Sequence, residues 1–175
     1  GLTQAVASLA GVFQPAAIVC GSSFSTGLLN TCGPYVTYFL GFSLVSVGMV
    51  ITGLAATARA SAEALFWTGW VIVGIGWGVG APSHSAFNSM RVPDKNDHGK
   101  LFAAINFVSA IGSTVGSLVW TNYIFSGHAV ETHRGGLGYY CSAVIVACVV
   151  AGYALLYLCI IRPEERLKLQ EKQHP

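Results

Sequence analysis

No Lys, Arg, Asp or Glu occurs before Arg59. A chain that long without charge cannot keep a water-facing surface wet and free of large apolar patches. The rest of the sequence follows the same rule. It is 53% hydrophobic and 9% charged, where an ordinary soluble domain carries about 25% charged residues. The sequence therefore predicts an integral membrane protein. The formal net charge of +2 gives no reason to expect a nucleic-acid partner. The partner it implies is a lipid bilayer.

A bilayer core about 30 Å thick needs about 20 mostly apolar residues in a helix. Four runs meet that length: 38–56, 64–82, 101–125 and 139–161. A fifth, over the first residues, is diluted by Gln4, Gln14 and Pro15. Pro15 would kink it unless a neighbour satisfies the freed carbonyl. The expected organisation is a weak apolar span and a loop over 1–35, a four-helix membrane bundle over 36–162, and a polar tail over 163–175. The run "WVIVGIGWGVG" alternates glycine and could be read as a strand. Glycine weakens strand interiors, and the run is too long and unbroken for a barrel strand of about 10 residues. As a helix, its glycines, Gly74 and Gly78 among them, spread around the axis and admit several close neighbours.

Lys and Arg in short loops set orientation. The 90–100 connection holds Arg91, Lys95 and Lys100, and the tail holds Arg162, Arg166, Lys168 and Lys172. The 57–63 and 126–138 connections hold only Arg59 and Arg134. Four spans put the two richer segments on one side, which predicts a cytoplasmic 90–100 loop and C-terminus. The other two loops then face the outside or a lumen.

The stretch "HGKLFAAINFVSAIGSTVGSLVW" carries small residues at Ser109, Gly112, Ser113 and Gly116. Helices in lipid gain little from hydrophobic drive, so close backbone packing through such residues holds them together. The groove is expected to receive another helix, within one bundle or in a homodimer. Polar groups inside a span face a partner or an aqueous path. Asn106, well inside its run, is the first candidate for a solute path. His84 and Asn88 are further candidates, although a wet or capping residue is the plainer reading of a histidine there. Cys141, Cys148 and Cys159 fall on one helical face and are expected as small packed residues. No acid, base, nucleophile or metal cluster of an enzyme is visible, so neither catalysis nor a cofactor is expected.

The order of features resembles helices ten and eleven of the major facilitator superfamily. The carrying residues are the Gly-rich span ending "GIGWGVGAPSHSAFNSMRVPDKNDHGK", its short basic loop, and the S-x-x-G-x-x-x-G of Ser109, Gly112 and Gly116. The tail "CIIRPEER" is similar to the cytoplasmic end of helix twelve. The version around "GKLFAAINFV" looks most like eukaryotic, even fungal, members. The resemblance covers about 38–166. It implies an all-α polytopic bundle corresponding to part of the C-terminal six-helix half of that fold. It also implies transport of a small solute by alternating access, a plasma-membrane setting, and dependence on N-terminal helices absent from this sequence. The stretch "STGLLNTCGPY" departs from the family pattern, lacking its basic residue. A fragment of such a transporter, inactive alone, is the expectation. A small four-helix membrane adaptor without transport activity is the alternative.

Overall fold

A computed structural model describes residues 4–58, 61–92, 94–119 and 136–163. Every regular element among them is helical. They are α1 (Gln4–Ala55), α2 (Ala62–Arg91), a 3-10 turn (Lys95–Asp97), α3 (His98–Val119) and α4 (Leu137–Leu156), which runs on into a π-helical turn (Tyr157–Ile161). Three segments are long and apolar enough to cross a membrane: Val12–Ala55, Ala62–Met90 and Leu137–Cys159. Length and composition together define an all-helical integral membrane protein.

The expected loop before residue 36 is absent. α1 is helical on both sides of a single non-helical residue, Gly33, at φ 79 and ψ 167. Only glycine takes that conformation without strain. Pro34 follows and supplies no N–H, so the backbone cannot continue one helix through this point. The Thr37 hydroxyl donates to the Gly33 carbonyl at 2.8 Å, which satisfies an acceptor at the break. The polar, turn-forming letters of "NTCGPY" look like a loop, yet the turn is compressed into one residue.

Contacts with α2 show what the break does. Along the N-terminal arm of α1, Phe13 meets Trp67 at 5.3 Å between ring centroids, Ala17 meets Gly74, and the Ser25 hydroxyl meets the Val79 carbonyl. Both series rise together, so this arm runs parallel to α2. Along the C-terminal arm, Gly41 meets Gly80, and Gly48 meets Gly69. Here the numbers run opposite ways, so the second arm is antiparallel. α1 is a helical hairpin. The arms, 4–32 and 34–55, each reach the length of about 20 residues that crosses a bilayer core.

α2 sits between the two arms because of its glycines. At 3.6 residues per turn, Gly69, Gly76 and Gly80 share one face, and Gly74 and Gly78 share the opposite one. A methyl group at Gly76 would lie 2.6 Å from the Gly41 carbonyl oxygen and 2.8 Å from the Val45 nitrogen. One at Gly74 would lie 2.6 Å from Ala17 Cβ, and one at Gly78 would lie 2.7 Å from the Ser22 nitrogen. Backbone touches backbone on both faces, which is how helices associate in lipid.

Pro82 lies inside α2. The expected span end at 82 is therefore too early, and the helix continues through Arg91. Pro82 cannot donate to the Gly78 carbonyl four residues back. Ser22, on the N-terminal arm, donates to that carbonyl at 3.3 Å. Ser25, buried, donates to the neighbouring Val79 carbonyl at 3.2 Å, as does Ser83 at 2.6 Å. Two serines of one helix thus serve carbonyls beside a proline of another.

α4 packs on the C-terminal arm of α1. Near its start, a methyl at Gly136 would lie 2.6 Å from the Gly53 carbonyl oxygen, and the Tyr140 ring covers Gly53. One turn on, the Ser46 hydroxyl donates to the Ala143 carbonyl at 2.9 Å. Near its end, the Tyr157 ring meets Tyr35 at 4.3 Å. α4 is therefore antiparallel to that arm and parallel to α2. The Gly33 turn and the ends of α2 and α4 lie at one end of the bundle. Cys148 and Cys159 are exposed and Cys141 is half-buried, so the packed role expected for the three is not what α4 shows.

α3 packs along none of the other described helices. The linker before it is ordered nonetheless. The Asn96 N–H donates to Asp94 Oδ1 at 2.9 Å, and Lys100 Nζ pairs with Asp97 Oδ1 at 2.7 Å. The His98 ring bonds the Val92 carbonyl at 2.9 Å. Residues 120–125 of the expected third span, most of the 126–138 connection and the tail beyond 163 lie outside the described residues.

Candidate functional site

Within the three membrane-length segments, Glu63 and His84 are the only members of the set Asp, Glu, Lys, Arg and His. Glu63 is exposed in the first turn of α2. His84 is half-buried two turns before the helix end. An ionisable side chain at such a place is the natural focus of function in a membrane protein.

Three helices build its surroundings. Tyr38, buried on the C-terminal arm of α1, presents its ring 5.9 Å from the imidazole. Tyr153 of α4 approaches edge-on at 6.4 Å and lies 5.0 Å from Tyr38. Phe87, one turn on in α2, touches Tyr153 at 5.9 Å and Tyr35 at 4.7 Å. Asn88, four residues along the same face, completes the group with its Nδ2 3.0 Å from His84 Nε2. In the neutral tautomer that carries its proton on Nδ1, the ring accepts from this amide through Nε2. The result is one imidazole and one amide held among five aromatic rings: Tyr35, Tyr38, Phe87, Tyr153 and Tyr157. Such a group can exchange a proton, donate from Nδ1 to a solute, or stack against a flat one.

His84 does not cap α2, because the helix continues past it to Arg91. It faces the C-terminal arm of α1 and α4. Asn106 is elsewhere, exposed on α3. The three polar residues picked from sequence therefore divide into a bonded pair and an isolated member.

The packing glycines divide as well. Gly74 and Gly78 are filled by the N-terminal arm of α1, whereas nothing lies within 4 Å of a methyl built at Gly112 or Gly116. Ser109 and Ser113 beside them are exposed. A shallow depression lined by Phe107, Ala110, Ile111, Thr114 and Val115 lies on the same helix. Its lining comes from α3 alone among the described residues. Among the described residues no cluster of three His, Cys, Asp or Glu is placed to hold a metal ion.

Sequence reading missed Tyr35, Tyr38, Tyr153 and Tyr157. The i, i+4 spacing of Tyr153 and Tyr157 was available. The pairing of either with α1 was not, since it depends on the hairpin at Gly33.

No protein family, characterised protein or solved structure matches this chain.

Proposed function

We propose that this chain is the C-terminal part of a secondary transporter of the major facilitator type, which moves a small solute by alternating access and is inactive until further helices complete its bundle. The observation that carries this reading is α3. It runs for 22 residues, uncharged from Leu101 on, and among the described residues nothing meets a methyl built at Gly112 or Gly116, while both glycine faces of α2 are filled. In lipid such a groove gains from a second helix, and a two-half transporter supplies one. The shared end of α2 and α4 also supports the reading. It brings the Arg91–Lys100 linker and Arg162 together on what the charge rule makes the cytoplasmic side. Asn106, exposed on α3, is the residue assigned to the solute path. The His84–Asn88 pair, turned toward α1 and α4, holds the helices beside that path. The uncharged spans favour a neutral or amphipathic solute.

The test is uptake by the longer polypeptide encoded with this segment, assayed with a panel of radiolabelled neutral solutes in sealed vesicles. Gly112→Leu with Gly116→Leu is expected to abolish uptake by closing the groove. Asn106→Ala is expected to raise KM or lower kcat with the protein still folded. Full uptake by the double leucine variant contradicts the reading. So does an upstream reading frame with no further apolar spans.

A further inference from the structure

The two ends of α4 are held by different physics. At its start, one close backbone contact is combined with a ring and a side-chain hydrogen bond. Gly136 abuts the Gly53 carbonyl, Tyr140 covers Gly53, and the Ala143 carbonyl accepts the Ser46 hydroxyl at 2.9 Å. Gly138 and Ala143 are buried there. Beyond Ala143 the helix face opens. Val144, Ile145, Val149 and Gly152 are exposed, and nothing lies within 4 Å of a methyl at Gly152. At its far end, contact returns through side chains: Tyr153 on Tyr38 and His84, Tyr157 on Tyr35, and buried Ile161.

The far end is also where both irregular backbone segments lie. Tyr35 is two residues past the Gly33 break. Tyr157 opens the π-helical turn, in which the Arg162 N–H bonds the Tyr157 carbonyl. π turns are rare and occur often at functional sites. Tyr35 stands between Phe87 of α2, at 4.7 Å, and Tyr157 of α4, at 4.3 Å. One ring pair therefore joins the two places where the helices depart from regular geometry.

We propose that α4 is a lever, pivoted at Gly53–Gly136 and Ser46–Ala143 and latched by the Tyr35–Tyr157 and Tyr38–Tyr153 ring pairs, whose release uncovers the His84–Asn88 pair. The pivot resists separation, because moving it breaks a hydrogen bond and a backbone contact together. The ring contacts of the latch and the Ile161 side chain are each a small term. The π turn supplies a segment that can re-form as regular helix when Tyr157 leaves Tyr35. The lever concerns α4 alone, so it stands or falls independently of whether the chain belongs to a transporter.

The test reads His84 directly. The full chain in lipid vesicles is treated with diethyl pyrocarbonate, and modification of each histidine is scored by peptide mass spectrometry. His98, outside the three-helix junction, serves as the internal reference. Tyr157→Ala is expected to raise the His84 signal roughly two- to tenfold, the population change that losing one aromatic pair produces. A second experiment guards against misfolding. In a chain with its own cysteines replaced by Ser, Y35C with Y157C is joined by a short, cleavable thiol crosslinker. Crosslinking is expected to suppress His84 modification below that of the uncrosslinked protein, and cleavage is expected to restore it. Equal His84 modification in the wild-type, Tyr157→Ala and crosslinked proteins overturns the lever.

Discussion

Gly76→Leu and Gly78→Leu are each expected to cost about 3 kcal/mol of helix-bundle stability, the upper end of ordinary overpacking. The reason is what stands in the way. A flexible side chain can turn aside, but the Gly41 carbonyl and the Val45 and Ser22 nitrogens are backbone. Accommodating a leucine at Gly76 means moving the C-terminal arm of α1 off α2. Accommodating one at Gly78 means moving the N-terminal arm. Either shift strips close contact from the rest of that seam, and at Gly78 it also strains the serine bonds beside Pro82. Equilibrium unfolding in bicelles measures the cost. Gly112→Leu is the control, and it is expected to change nothing in this chain, because no atom lies within 4 Å of its Cβ. Equal destabilisation by all three variants would mean that leucine acts through lipid or helix propensity, and the seam argument would fail.

Gly33→Val has the second large effect. At φ 79 and ψ 167 a β-branched residue is a steric outlier, and holding it there costs roughly 1–3 kcal/mol. Space is not the issue, since nothing lies within 4 Å of a methyl at this position either. The cost is purely one of backbone geometry. It falls on the hairpin that lets one arm run parallel to α2 and the other antiparallel. The expected outcome is loss of stability in bicelles together with loss of the Tyr35–Tyr157 contact, read as lost crosslinking between cysteines substituted at Tyr35 and Tyr157. Gly27→Val is the matched control. Gly27 is exposed, helical and uncrowded, and its replacement should cost no more than a few tenths of a kcal/mol of propensity. Similar losses for the two variants would place the turn elsewhere.

Several features were legible in the sequence because they depend on nearby residues alone. A run such as 139–161 states its own length and polarity, and α4 with its π turn covers Leu137–Ile161. The glycines of "GWVIVGIGWGVG" spread around a helix by arithmetic, and the structure sets Gly69, Gly76 and Gly80 against one arm and Gly74 and Gly78 against the other. Errors arose where local composition misleads. "NTCGPY" has the residues of a loop, but a single glycine in an unusual conformation makes the turn. Pro82 looks like a helix end, but Ser22 from another helix answers its freed carbonyl. The His84–Asn88 pair follows from i, i+4 spacing. Its aromatic walls do not, because Tyr38 and Tyr153 reach it only after the hairpin has reversed α1. Asn106 lies inside an apolar run, yet no sequence pattern states that Gly112 and Gly116 meet no atom within 4 Å among the described residues.

The central claim is that α1 crosses the bilayer twice, so that the Gly33 turn, the α2–α3 linker and the end of α4 share one side. The most direct measurement places single cysteines at Thr31, Ala58 and Gly99 in a chain otherwise free of cysteine. Each is labelled with a membrane-impermeant maleimide in sealed vesicles of known orientation. The account predicts that positions 31 and 99 label from one side and position 58 from the other. Labelling of positions 31 and 58 from the same side, or of 31 and 99 from opposite sides, would contradict it.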